Sequence, residues 1–129
     1  MKIAAITGLT QESLTDFRRR RIRTFEIRSA HNLLAFSEIG PGDKVFITDV
    51  ALPDLVPGLC GCIAIVKGVD IRMHRMTYTS QANVEERETL SGRIQLILHS
   101  TGKVREVYPV EVYKPIYVDA IEVAMCEAR

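Results

Sequence analysis

FRRRRIRTFEIRSAHN, residues 17–32, contains the change of period from which the fold can be read. Upstream, Thr10 offers a hydroxyl cap to QESLTDFRRR, Glu12 falls in the favourable first turn, and Leu14 and Phe17 share one helical face. From Ile22 the spacing becomes two: Ile22, Thr24, Glu26 and Arg28 alternate with Arg23, Phe25 and Ile27, which predicts a strand with one polar face. Ser29 then stands as a cap for a second helix over AHNLLAFSEI, stopped by Gly40 and Pro41. Six arginines gather in this one stretch, and they raise the question of whether it grips a ligand.

Outward from there the chain reads mainly as strands. KIAAIT forms an initial strand broken by Gly8, and KVFITD follows the GPGD turn. PDLVPG is a compact loop between two prolines. Residues 59–66 are apolar, after which Val69, Ile71 and Met73 alternate with Asp70, Arg72 and His74, with Gly68 marking a bulge between the two parts. TSQANVEERETLSG is polar and without period, which predicts a long loop, a short helix or a partly disordered excursion. Ile94, Leu96 and Leu98 alternate with Arg93, Gln95 and His99; STGK reads as a turn into VREVYPVEVYKPIYVDAIEVA, whose Pro109 and Pro115 limit central pairing. Two short helices early and about six or seven strands predict an α+β fold with a largely antiparallel curled sheet or small barrel.

The 129 residues suit one domain spanning 1–129. Apolar residues make up 47% and charged residues 26%, and the net charge of +1 predicts no polyanion partner by global attraction. Charge is instead concentrated locally, between Arg18 and Arg28. Cys60 and Cys62 are too close in sequence to form a relaxed bridge, and with Cys126 the count is odd, so a reduced, cytoplasmic setting is the simplest reading. No apolar run reaches the roughly 20 residues of a membrane span, and the N-terminal stretch lacks a secretory pattern, which predicts a soluble, non-exported protein without a membrane partner.

RTFEIR, the helix after it and PGDKVFIT together resemble the motif of ASCH domains, small members of the PUA-like superfold, in which glycine and lysine precede a glutamate and an arginine. Glu26 and Arg28 fall on the last two motif positions, whereas Arg21 stands where the pattern has glycine and Arg23 where it has lysine. Arginine keeps the charge and the hydrogen-bonding fork but does not readily lose a proton, so lysine-dependent chemistry does not carry over. The resemblance implies a PUA-like, mostly antiparallel pseudo β-barrel with two short helices. Over nearly its whole length, from MKIAAITG through EIRSAHN, DLVPGLCG and MHRMTY to SGRIQL, the chain also resembles a small archaeal family of unknown function.

Several residues are candidates for a site. Glu26 and Arg28 lie two apart on one strand face and can pair; an exposed pair contributes about 0–1 kcal/mol, so a cleft role gives them a better reason to be there. Arg28 would hold a phosphate or carbonyl oxygen while Glu26 accepts from an exocyclic amine, with Arg23, His31 and Asn32 nearby and Arg72, His74, Arg75 and Tyr78 on a facing strand. Against this, basic residues ending a helix are more often a solvated face, and a lone strand histidine is more often surface or core. No metal or cofactor is expected: Cys60 and Cys62 have no second ligand pair, and no phosphate loop or dinucleotide fingerprint occurs. With aromatic residues at 6% and no tryptophan, a broad stacking platform is not expected, although single tyrosines could stack a base. The leading expectation is a module binding RNA or a nucleotide. An ASCH-like amidohydrolase acting on a modified nucleoside, and a homodimer built through strands such as VEVYKPIYV, are the alternatives.

Overall fold

Thr10 caps the first helix as its hydroxyl implies, accepting from the Ser13 N–H at 3.1 Å. The computed structural model of the protein describes residues 1–79 and 84–126, and at 74–76, 78 and 85–88 the backbone alone. Strand β1 is Lys2–Ile6, helix α1 is Gln11–Arg20 and strand β2 is Ile22–Ile27. Leu14 and Phe17 of α1 are buried, and the Phe17 ring meets Phe25 of β2 edge to face at 5.4 Å, which fixes α1 against the strand that follows it. Arg21 ends α1 in the left-handed conformation, φ 69°, its N–H donating to the Phe17 carbonyl at 2.7 Å. Helix α2, Ala30–Ala35, is shorter than its sequence suggests, and Ser29 makes no side-chain capping bond.

Four more strands complete the sheet: β3, Lys44–Ile47; β4, Cys60–Thr79; β5, Val84–Val107; and β6, Tyr117–Val123. They are ordered β2-β5-β4-β3-β1-β6, and β6 pairs with β5 as well, so the hydrogen bonding closes a ring while β2 stays outside it on the β5 edge. Every pairing is antiparallel except β1 with β3, whose connection runs through α1, β2 and α2. This parallel pair is covered on both faces. Ile3, Ala5 and Phe46 enter one core with Ile63, Val104 and Val118, while Ala4, Ile6, Val45 and Ile47 enter a second beneath α1 and α2. That double burial explains why IAAI of β1 and VFI of β3 are continuous apolar runs. The architecture is thus mixed α+β, dominated by one six-stranded sheet with two helices.

The register shifts between Val66 and Gly68, at the bulge expected there. Three expectations are corrected. Of TSQANVEERETLSG, expected as a loop, a short helix or an excursion, residues 80–83 lie outside the described residues, whereas 84–91 belong to β5 and pair with β4 from Arg72 to Thr79; pairing across the strands there compensates for the missing local period. STGK is not a turn, because β5 continues through it and instead changes edge partner, from β2 at Gly92–Ile97 to β6 at Thr101–Val107. The segment between Pro109 and Pro115 is a loop, not a strand, and of VEVYKPIYV only Tyr117 and Val118 enter β6, where they lie between β1 and β5.

The cysteines also depart from expectation. Cys60 and Cys126 form a disulfide, Cα atoms 6.1 Å apart, and Cys62 is free and buried. Adjacency in sequence excluded Cys60 with Cys62, but β5 lies between the start of β4 and the end of β6 and brings a cysteine 66 residues away into reach. The expectation of three reduced thiols is therefore not met: two are bridged and one is free. No helix among the described residues is long and apolar enough to cross a membrane.

Candidate functional site

β1 and β2 both end at the same side of α2, and the space between these ends is a hollow of about 230 Å³. Thr7, Gly8 and Leu9 line it from the end of β1; Glu26, Ile27, Arg28 and Ser29 from the end of β2; His31 and Asn32 from α2; and Ala51 and Leu52 from the loop after β3. Its floor is set by one hydrogen-bonded latch. The Thr7 N–H donates to Asn32 Oδ1 at 3.1 Å, and Asn32 Nδ2 donates back to the Thr7 carbonyl at 2.8 Å. Asn32 is only 4% exposed, so these bonds are made away from water, and its amide is committed to holding α2 on β1. Beside it, Thr7 Oγ1 and His31 Nε2 lie 3.1 Å apart.

The latch depends on α2 lying close to the sheet, and Gly92 permits that approach. A Cβ there would come within 2.5 Å of Phe36 Cε2 and 2.7 Å of Leu33 Cδ2, both just beyond the residues that line the hollow. At the mouth, Arg28 Nη2 is 3.5 Å from Glu26 Oε1, with the two side chains 79% and 52% exposed. Such a pair adds about 0–1 kcal/mol to stability. Both groups can therefore turn toward a ligand at little cost. The Ser29 hydroxyl is buried and has no hydrogen-bond partner among the described residues.

The hollow brings together four of the residues that the sequence suggests: Glu26, Arg28, His31 and Asn32. Arg23 is not among them. On the opposite face of β2 its Nη1 lies 2.6 Å from Asp16 Oδ2, and Asp16 also takes Arg20 Nε at 2.9 Å and Arg19 Nη2 at 3.4 Å. Burial by itself would raise the Asp16 carboxyl, but the hydrogen bond from Arg23, the charge of Arg20 and the bond from Arg19 outweigh it and hold the group below its ordinary value. Half of the arginine run is thus an ion-pair clamp between α1 and β2.

Arg72 is separated from the hollow by a strand. Register places Glu26 opposite Arg93 of β5 and Arg93 opposite Asp70 of β4, all on the outer face, so about 10 Å of sheet separates β2 from β4. Arg72 pairs with Asp70 at 2.9 Å. The side chains of His74, Arg75 and Tyr78 lie outside the described residues; their backbone is on a two-stranded part of β4 and β5, beyond the Ile27–Gly92–Ile71 row where β2 ends. A single cleft formed by 23–32 together with 72–78 is therefore not assembled by the described side chains. The sequence does not mark Thr7, Gly8 or Ser29 as site residues, since their place in the hollow follows from β1 and β2 ending together, which no local pattern signals. Among the described residues no group of three or more His, Cys, Asp or Glu side chains is placed to hold a metal ion.

A family profile described as "Protein of unknown function (DUF473)" matches residues 1–118. The chain belongs to the DUF473 family. It is also 32% identical over 96 residues to "Uncharacterized protein MJ0105" of Methanocaldococcus jannaschii, a match that takes in 74% of this chain and 60% of that protein. No solved structure matches significantly. The DUF473 match includes every residue lining the hollow and both members of the Thr7–Asn32 latch, and it stops before Cys126.

Proposed function

We propose that this DUF473 protein binds a nucleotide, free or as one unit of RNA, in the hollow between β1, β2 and α2. The observation that carries this is a hollow lined by Thr7, Ser29, His31 and Asn32, with the exposed Glu26–Arg28 pair at its mouth. Arg28 supplies a two-pronged donor for phosphate, and Glu26 an acceptor for an exocyclic amine. A volume near 230 Å³ lies below the roughly 300–1,000 Å³ of sites for drug-sized ligands, which favours one base or sugar-phosphate unit. The likeness of Glu26 and Arg28 to the ASCH motif, and through it to PUA-like domains, adds weight. So does Arg21: it stands where that motif has glycine, and at φ 69° it adopts the conformation for which glycine is favoured.

Equilibrium binding of nucleoside monophosphates and of a short single-stranded RNA, each at two salt concentrations, tests the proposal. Arg28→Ala is expected to weaken binding roughly tenfold and to reduce the salt dependence by about 0.7 in log–log slope for one lost phosphate contact. Wild-type protein that retains neither ligand at low salt overturns the reading.

A second reading rests on the Thr7–His31 contact. A hydroxyl and an imidazole 3.1 Å apart have the spacing of a nucleophile with its base, which the amidohydrolase alternative requires. Turnover of acylated nucleosides that survives in wild type but is lost in both Thr7→Val and Glu26→Gln would favour the enzyme. Binding without turnover favours the module.

A further inference from the structure

A second hollow, of about 330 Å³, lies on another part of the molecule, where the loop after β5 returns to β6. Its aromatic walls are Tyr108 and Tyr117, and the ammonium of Lys2 sits between them, 4.7 Å from one ring centroid and 5.1 Å from the other. Both distances are inside the roughly 6 Å over which a ring face attracts a cation. Lys2 forms no ion pair among the described residues, so the rings are its main electrostatic partners. Pro109 and Pro115 flank the two tyrosines and restrict the backbone that presents them.

Two further residues that line the hollow, Glu38 and Lys114, hold the cage in shape. The Tyr117 hydroxyl donates to Glu38 Oε2 at 2.7 Å, while the other Glu38 oxygen is 3.9 Å from Lys114 Nζ. Burial first, and then Glu38, push the Tyr117 phenol up to about 12, so it stays protonated and keeps donating at any physiological pH. Glu111 lines the same hollow, and its carboxylate has no ion-pair partner among the described residues. Two ring faces with carboxylates beside them form a receptor for an alkylammonium group, and Lys2 is an exposed, flexible side chain able to leave it.

We infer that Tyr108 and Tyr117 form a binding site for an external alkylammonium group, which Lys2 occupies in its absence. The ligand chemistry is a primary to quaternary ammonium on an aliphatic chain, whether of a free polyamine or of a lysine side chain. Lys2 competes with it. If Lys2 fills the cage about nine-tenths of the time, its removal raises the apparent affinity roughly tenfold.

Titration of the full chain with tetramethylammonium, followed by the upfield ring-current displacement of its methyl proton resonance, tests this. Lys2→Ala is expected to bind roughly tenfold more tightly than wild type. In that background Tyr108→Leu should abolish the displacement, while Tyr108→Phe, which keeps the ring, should preserve it. Equal affinity in wild type and Lys2→Ala, no displacement in either, or a displacement indifferent to Tyr108→Leu each overturns the inference. Parallel titrations with spermidine and with a trimethyllysine peptide identify the source by whichever competes at lower concentration. The site shares no residue with the hollow at β2, so failure here leaves the nucleotide reading standing.

Discussion

At the scale of single residues, the opening arginine run resolves into separate fates. Arg19, Arg20 and Arg23 share Asp16, Arg21 turns the chain, and Arg28 stands at the mouth of the hollow. Because the folded Asp16 carboxyl is held below its ordinary value of 3.8, its contribution to stability is complete above that value and is lost as pH falls through the lower folded value. Asp16→Asn should therefore melt below wild type near neutral pH, and the gap should narrow as pH falls below the carboxyl's ordinary value; thermal melts on the two sides of that value decide it, and a constant gap would show that the clamp is not electrostatic. Arg21 offers the opposite case. A left-handed non-glycine residue costs about 1–2 kcal/mol, and glycine adds about 0.4–1 kcal/mol of unfolded-state entropy, so Arg21→Gly should raise stability by about 0.5–1 kcal/mol in urea unfolding. Loss of stability would mean that the Arg21 side chain makes a contact of its own. Period two put Arg23 and Glu26 on opposite faces of β2 from sequence alone. It could not name Asp16 as the partner of Arg23, since that choice is made when α1 docks.

At the scale of elements, the strands with strong local patterns were the readable ones. β1, β2, β3 and the bulge at Gly68 follow from apolar runs and alternation, whereas the outer part of β5 has neither and is specified by β4 across from it. STGK reads as a turn because glycine and small polar residues usually make one; here Gly102 lies opposite Gly61, and the Ile63 side chain comes within 2.6 Å of where a Gly102 Cβ would be. The packing of α2 is a similar tertiary decision. Gly92→Ala would set a methyl group against Phe36 and Leu33, and the helix must shift to receive it. Overpacking of this kind costs about 1–3 kcal/mol. Because the same helix carries His31 and Asn32, nucleotide binding should weaken together with stability. A variant with wild-type melting and wild-type binding would mean that the helix can move without disturbing the latch.

At the scale of the whole molecule, the sheet is closed through β6, and the end of β6 is tied to the start of β4 by Cys60–Cys126. Composition and spacing limited the cysteines to statements about which pairs were too close; only the path of β5 between β4 and β6 shows which pair can meet. The two candidate sites were legible to different degrees for the same reason: Glu26 and Arg28 are near neighbours in sequence, whereas Lys2, Tyr108 and Tyr117 converge from opposite ends of the chain. A crosslink spanning 66 residues removes unfolded-state entropy worth about 4 kcal/mol in the chain-entropy model, of which about 2–4 kcal/mol is ordinarily realised. Cys126→Ser should thus unfold at lower urea than oxidised wild type by that margin. Dithiothreitol should bring wild type down to the variant and leave the variant unmoved, because the remaining pair, Cys60 and the buried Cys62, is too close in sequence to bridge without strain. Wild type with the same midpoint in reductant and oxidant would show that closure of the sheet by hydrogen bonding holds the ends of β4 and β6 together without the bond.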